Sequence, residues 1–407
     1  MSLPPLSPEQ SIKPARFEFR ISLLFATLFV PVGIHAPYFP LWLELKGFGP
    51  EEIGVVLSAP LFLRVVTTPL ITAFADRVGE RANVYIACVA ATLLLSAGYF
   101  LPTSYALVLA LSVAIQVVWT PQAALVDALA LSGVRRFGSH YPHMRIWGSI
   151  AFLVANLAGG IILSRTGAGI VPAIITVTLM VTLLAAISAP RLGPPRKASP
   201  LSAAEIQRAG PALFTTHFML FVAAAGVINA SHGYMFAFVS IYWASLGVGE
   251  TIVGLLWSFA VLAEVGMFLA FRRIFGSVPA PTLLALAAAF AIVRWAAMPL
   301  IWPGGAGLPG FFAAQALHAF STGLILIGVQ KFIAETVGDE NTGAAQGIAF
   351  FANGLSMAVV MLASGPIYDR FGGTGFFVMS GVAAIGLVLV ALARLSAPQR
   401  TVGRQHS

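Results

Sequence analysis

The chain has 407 residues, of which 58% are hydrophobic and only 9% charged. A soluble domain carries roughly a quarter charged residues, so the composition excludes a water-soluble fold and indicates a polytopic membrane protein. The formal charge of +8 falls in short clusters between apolar runs rather than in a stripe, which argues against nucleic acid, and the lone cysteine, Cys88, excludes an internal disulfide or a multi-cysteine metal site.

Runs of about 20 mostly apolar residues cross the hydrocarbon core as helices. In chain order the sequence predicts twelve spans: 20–43, 53–75, 83–101, 104–131, 145–164, 168–190, 212–243, 252–271, 279–301, 309–334, 342–366 and 373–395. These runs are about twice the length a barrel strand needs. The first is interrupted by Pro31 and Pro37 and lacks a small-residue cleavage site, so it reads as a span rather than a cleavable signal peptide.

Lysine and arginine give an independent check on this topology. With both termini cytoplasmic, the inner faces take eighteen of the 23 basic residues, including Arg77, Arg81, Arg135, Arg136, Arg272 and Arg273. The outer faces hold only Lys46, Arg165 and Arg370, while Arg64 and Arg294 fall inside spans. That asymmetry is the positive-inside rule with an even number of crossings.

The chain also repeats itself. Residues 47–64 (GFGPEEIGVVLSAPLFLR) align without a gap on 247–264 (GVGETIVGLLWSFAVLAE), so that Gly47, Gly49 and Gly54 fall on Gly247, Gly249 and Gly254. The same register sets Trp42 on Tyr242 and Arg64 on Glu264. A shorter pattern of arginine followed closely by glycine recurs four times, once per three spans: Asp76-Arg77-Val78-Gly79, Ser164-Arg165-Thr166-Gly167, Arg273-Ile274-Phe275-Gly276 (with one extra residue between) and Asp369-Arg370-Phe371-Gly372. The expected organisation is a six-helix half over 1–190, a Pro-, Ser- and Arg-rich cytoplasmic linker over 191–211, and a second six-helix half over 212–407. Two halves of 3+3 repeats describe the major facilitator architecture, whose substrate site lies at the midplane between them.

The residues that carry a family likeness then follow. Ala73-Phe74-Ala75-Asp76-Arg77-Val78-Gly79-Glu80-Arg81 resembles the major facilitator loop motif, with Ala73 in place of its leading glycine. The resemblance implies that Asp76, Arg77, Gly79 and Arg81 form a cytoplasmic gate lock. Val126-Asp127-Ala128-Leu129, Arg145-Ile146-Trp147-Gly148-Ser149, Ala263-Glu264-Val265, Val293-Arg294-Trp295 and Gln315-Ala316-Leu317-His318-Ala319 are similar to the phenylpropionate permease group, related to lactose permease and the nucleoside–proton symporters. That likeness covers nearly the whole chain in order and spacing. It implies a multi-pass protein of a bacterial inner (plasma) membrane, monomeric, whose partners are a small solute, protons and the lipid bilayer.

An ionisable group at the centre of a span costs at least about 2.5–3.5 kcal/mol on insertion scales, so each is a candidate functional residue. Asp127 and Arg145 on successive spans are placed to form a bidentate pair; in lactose permease the matching pair contacts substrate, whereas a structural ion pair or an Arg145 that snorkels to the cytoplasm are the plainer readings. Arg64 must pair with Asp127 or an anionic substrate, since an arginine keeps its proton. Glu264 is the only acid deep in the second half and is the candidate proton carrier, unless it is permanently paired with Arg294 or His318. His318 and Arg294 on neighbouring spans are candidates for proton coupling, although Ser321 stands where lactose permease has its carboxylate and Gln315 where it has a basic residue.

His35 and Tyr38 lie where Pro31, Gly33, Pro37 and Pro40 interrupt the regularity of the first span, either breaking it so that freed backbone lines a cavity or only kinking it. Asn229, Ser231, His232 and Tyr234 make the seventh span the most polar of the second half and suit a cavity wall. His217 and His232 are weaker candidates, and His140, His143 and His406 read as cytoplasmic surface. Trp119, Trp147, Trp257 and Trp295 suit either stacking on an aromatic substrate or anchoring at the interface.

No Gly-x4-Gly-Lys-Ser/Thr loop and no His/Glu metal motif is present, so neither nucleotide hydrolysis by that route nor a metal or other cofactor is expected. The reading that results is a secondary carrier, proton-coupled, for an aromatic or other carboxylic acid. A sugar or nucleoside symporter and an exporter of the same fold are the alternatives. A membrane enzyme would need a nucleophile–base pair or metal cluster that the spans do not supply.

Overall fold

The computed structural model describes residues 11–102, 104–193, 213–338 and 341–397, and within them the chain forms helices and turns with no β-strand. The first half contains α1 (Phe17–Leu45), α2 (Pro50–Arg77), α3 (Arg81–Ser96), α4 (Tyr105–Phe137), α5 (Tyr141–Thr166) and α6 (Val171–Ile187). The second contains α7 (Thr216–Ala230), α8 (Gly233–Ser245), α9 (Glu250–Phe275), α10 (Ala280–Ile301), α11 (Gly307–Ala316), α12 (His318–Thr336), α13 (Thr342–Phe371) and α14 (Phe376–Leu395). Among the described residues, eleven stretches are long and apolar enough to cross a membrane, and the last of them, Thr342–Leu395, holds both α13 and α14 around a short turn. Leu94, Leu184 and Leu269 point outward and exposed. Such side chains would be unfavourable in water and suit a lipid-facing surface.

Most of the 191–211 linker, including Arg196, Lys197 and Arg208, lies outside the described residues, as do Arg400, Arg404 and His406. Where the linker begins, Glu80 accepts hydrogen bonds from the N–H groups of Leu192 and Gly193, and Arg136 donates to the Leu192 carbonyl.

Helix breaks do not fall where the prolines suggest. Of the break or kink expected around His35 and Tyr38, the break is absent: α1 runs unbroken through Pro31, Pro37 and Pro40. A proline forfeits one backbone bond and strains one turn, but in a long helix packed along α5 and α6 the flanking turns persist. The seventh and tenth spans, expected as continuous, break instead at Ser231–His232 and at Leu317, with no proline at either. There the backbone tightens to three-residue bonds, His232 N–H to Asn229 O at 3.0 Å and Phe320 N–H to Leu317 O at 3.2 Å.

The 200-residue repeat appears in the backbone. Gly47 and Gly247 both take left-handed φ, 85° and 79°, a conformation glycine adopts without steric cost. Gly49 and Gly249 then cap α2 and α9 in matching extended conformations. One turn into each helix, Gly54 and Gly254 make the contacts between halves. Gly54 of α2 lies against the Gly365 backbone of α13, and Gly254 of α9 lies against Asn156 O of α5. Gly160 presses on the Glu250 carbonyl in the same way.

Two hydrogen bonds cross between the halves nearby, from Thr251 Oγ1 to Gly160 O (3.4 Å) and from Ser258 Oγ to Leu153 O (3.0 Å). The bundle is therefore closed at the end carrying residues 46–49 and 247–249. Toward the other end, Leu70 and Phe74 of α2 and Phe350 and Phe351 of α13 are exposed.

Candidate functional site

In the first half a cavity of about 230 Å³ is walled by α1, α2 and α4, through residues that include Phe29, His35, Arg64, Gln116, Trp119 and Thr120. The α-helical period brings Gln116, Trp119 and Thr120 to one face of α4. His35 stacks on Phe39 with ring centres 4.5 Å apart and meets Trp119 edge-on at 5.3 Å. The Arg64 Nε is buried with no hydrogen-bond partner, and Arg64 is in none of the ion pairs among the described residues. The expected pairing of Arg64 with Asp127 is thus not formed, and the cavity wall carries a cation facing neutral and aromatic groups.

The Asp127–Arg145 pair is likewise not formed. Asp127 of α4 accepts a hydrogen bond at 2.8 Å from the hydroxyl of Tyr141, one turn before Arg145 on α5. The Arg145 guanidinium lies over the Phe29 ring at 4.3 Å and near that of Phe25 at 5.5 Å, and its Nη1 is buried without a partner. Phenol and carboxylate satisfy each other across the α4–α5 gap, and the arginine is held by ring faces instead. Tyr38 does not reach the cavity. It is fully buried, and its hydroxyl donates to Asn156 O at 2.5 Å beside the α5–α9 crossing.

In the second half a cavity of about 250 Å³ lies between α7, α12 and α13, with Asn229, Thr322, Gln330, Gln346 and Asn353 as its polar wall. The single hydroxyl proton of Thr322 is directed to the His318 carbonyl at 2.7 Å, with Glu264 Oε1 as a second, longer contact at 3.3 Å. Glu264 forms no ion pair with Arg294 or His318, so the alternative of a permanent pair does not hold.

Arg294 is fully buried and is in none of the ion pairs among the described residues. It donates through Nη1 to His318 Nδ1 (2.9 Å) and through Nη2 to Gln315 Oε1 (2.5 Å) and Met235 Sδ (3.0 Å), and it lies 4.4 Å from the Trp295 ring centre. Gln315 in turn donates to the Leu256 carbonyl at 3.0 Å, which fixes its oxygen toward the arginine. His232 sits edge-on to His318 at 5.6 Å; its Nδ1 meets Asn229 O at 3.1 Å and its Nε2 meets Ser321 Oγ at 3.0 Å. A carbonyl only accepts, so His232 carries its proton on Nδ1.

At the end of α2, Arg81 binds Asp76 through Nε at 2.7 Å and Nη2 at 2.6 Å, and it also reaches Ser132 of α4 at 3.3 Å. The lock therefore ties α2, α3 and α4 within one half. Arg77 and Gly79 are exposed at this end, with open space around Gly79.

The structure brings Arg64 and His35 to one cavity and gathers Arg294 with His318; Glu264 stands apart from both, beside Thr322. Asn353, Gln116, Gln315, Thr322 and Tyr141 were not singled out as site residues from sequence. Asn353 and Gln116 carry a usable signal, an amide inside an apolar span, which is costly unless it is hydrogen-bonded.

A model of the MFS_1 like family matches residues 19–379. A probable 3-phenylpropionic acid transporter of Escherichia coli (strain K12) is 27% identical over 372 residues, 91% of this chain and 96% of that one. The maltose permease of Geobacillus stearothermophilus is 24% identical over 392 residues, 94% of this chain and 95% of the relative. Among crystal structures, a mutant of the nucleoside transporter NupG superposes with a TM-score of 0.79 at 15% identity, covering 94% of this chain and all of the other. At that identity the likeness establishes the fold alone.

Proposed function

Because the chain belongs to the MFS_1 like family and is a secondary transporter of the major facilitator type, we propose that it takes up a small aromatic or other carboxylic acid together with protons, by alternating access. The spans would cross an inner membrane twelve times with both ends cytoplasmic, as two six-helix halves, each contributing one cavity, that rock against each other. In this topology the glycine-packed end faces outward, and the cavities open to the cytoplasm.

The observation that carries the substrate class is Arg64. An unpaired guanidinium in a cavity wall is a costly arrangement until an anion joins it, and a carboxylate accepts two of its parallel N–H bonds. His35 and Trp119 beside it offer ring faces and edges to an aromatic body. The Escherichia coli relative bears the name of a transporter of such an acid.

Glu264 is the proposed proton carrier. With Thr322 as its hydrogen-bond partner and no cation paired to it among the described residues, it can enter a closed, dry state only by taking up a proton. His318 and Arg294 then serve as a fixed cationic group nearby rather than as the relay.

A sugar or nucleoside symporter is the second reading, favoured by the uncharged amide wall of the other cavity; it leaves Arg64 without a counter-charge. The deciding experiment is competition for uptake in proteoliposomes, with Arg64→Ala alongside the natural chain. Arg64→Ala is expected to weaken carboxylates at least tenfold more than the corresponding amides. Equal losses for acid and amide would remove the anion-clamp reading.

A further inference from the structure

We propose that the amide-walled cavity between α7, α12 and α13 is a second substrate subsite that receives a hydroxyl group, so that the transported acid is a hydroxylated one. The inference rests on the carboxylic-acid reading above and adds what the far end of the substrate carries.

The wall contributes hydrogen-bonding groups but no formal charge. Gln330 and Gln346 bond each other reciprocally, at 3.2 and 2.6 Å. The hydroxyl of Thr322 donates to the His318 carbonyl at 2.7 Å. The pair that remains incompletely used is Asn229 and Asn353, joined by one bond from Asn229 Nδ2 to Asn353 Oδ1 at 2.7 Å.

A primary amide has two N–H donors and a carbonyl acceptor. The joined amides therefore leave an acceptor on Asn229 and donors on Asn353 beside each other. Exchanging oxygen and nitrogen in both side chains gives the same result with the roles reversed, so the conclusion does not depend on which way the amides are assigned. A donor next to an acceptor is the complement of a hydroxyl, which both gives and takes a hydrogen bond. A carboxylate only accepts and would face the free amide oxygen with its own lone pairs. An unsubstituted ring edge would leave both groups unpaired.

The two cavities flank one helix crossing. Val65 of α2 packs on Gly354 of α13, with its Cγ2 2.9 Å from where a Cβ on that glycine would stand. Arg64 and Asn353 each immediately precede a residue of this contact. The proposal sets one small molecule across this α2–α13 contact, its carboxylate toward Arg64 and its hydroxyl toward Asn229 and Asn353.

The test is binding of 3-phenylpropionate and of its 2-, 3- and 4-hydroxyphenyl analogues to the full chain in lipid nanodiscs, by calorimetry. At least one hydroxylated acid is expected to bind tenfold or more tightly than 3-phenylpropionate, about 1.4 kcal/mol. Asn229→Ala and Asn353→Ala should bring that ratio close to one, and thermal unfolding of each variant near the natural melting temperature reports that it is folded.

The proposal is overturned if no analogue is preferred by the natural chain, or if the preference survives both substitutions. Should one variant bind neither acid, the natural chain and the other variant decide. If the natural chain binds none of the four acids but does bind maltose or a nucleoside, the carboxylic-acid reading itself has failed and this inference falls with it.

Discussion

Arg294 donates a hydrogen bond to Nδ1 of His318 at 2.9 Å, and because a guanidinium can only donate, that imidazole nitrogen carries no proton. His318 is therefore a neutral acceptor here. It can become cationic at that atom only by releasing Arg294, which would set two positive groups together in a buried site. This arrangement is the reason Glu264, and not His318, is the proposed proton carrier.

The cage predicts a graded response at His318. Leucine there strands a charged N–H of Arg294, for which the loss is about 1.5–3 kcal/mol, whereas glutamine retains an acceptor. Thermal unfolding of the detergent-purified chain should show His318→Leu melting several degrees below His318→Gln. Equal melting temperatures would mean that the Arg294–His318 bond does not support the fold.

Glu264→Gln removes the ionisable proton but keeps the size of the side chain and an acceptor for Thr322. Accumulation against a gradient is expected to vanish while exchange of labelled for unlabelled substrate continues at near the natural rate. Unchanged uphill uptake would assign the proton to another group.

Asp127 offers a thermodynamic test of which neighbour it answers to. A double-mutant cycle on stability with Asp127→Asn and Tyr141→Phe should give a coupling of about 1 kcal/mol. The cycle with Arg145→Met in place of the tyrosine change should give a clearly smaller value. The reverse order would restore the ion pair as the dominant contact.

Two glycines of α9 separate space from composition. A Cβ on Gly254 would meet Asn156 O of α5, while nothing lies within 4 Å of one on Gly266. Gly254→Ala should lower the uptake rate severalfold and Gly266→Ala should leave it unchanged. Equal effects from the two would show that the α5–α9 approach does not limit transport.

Much of the architecture is legible in the sequence because the bilayer simplifies the code: apolar length gives the helices, and the offset of 200 residues anticipates the matched glycine turns at Gly47 and Gly247. Less legible are features set by tertiary contact. Tyr38 stands beside cavity-forming signals yet spends its hydroxyl on Asn156, a partner 118 residues away. Asp127 and Arg145 look like a pair by charge and spacing, but Tyr141 is nearer to the carboxylate. Gln315 reads only as a departure from a relative's pattern until Arg294 is seen to lean on it. The breaks at Ser231–His232 and Leu317 carry no proline or glycine at the break itself and so escape a reading based on helix breakers.

The closed end of the bundle rests on backbone brought against backbone at Gly54, Gly160, Gly254 and Gly365. The ion pairs among the described residues, Lys13–Glu18, Arg81–Asp76 and Lys331–Glu335, each stay within one half. Dissolved ions screen charges but leave van der Waals contact between glycine-lined surfaces almost untouched. The balance between the closed and open states of this end should accordingly be nearly indifferent to ionic strength. It should respond instead to side-chain bulk at those four positions, a mechanical latch whose fit is set by volume.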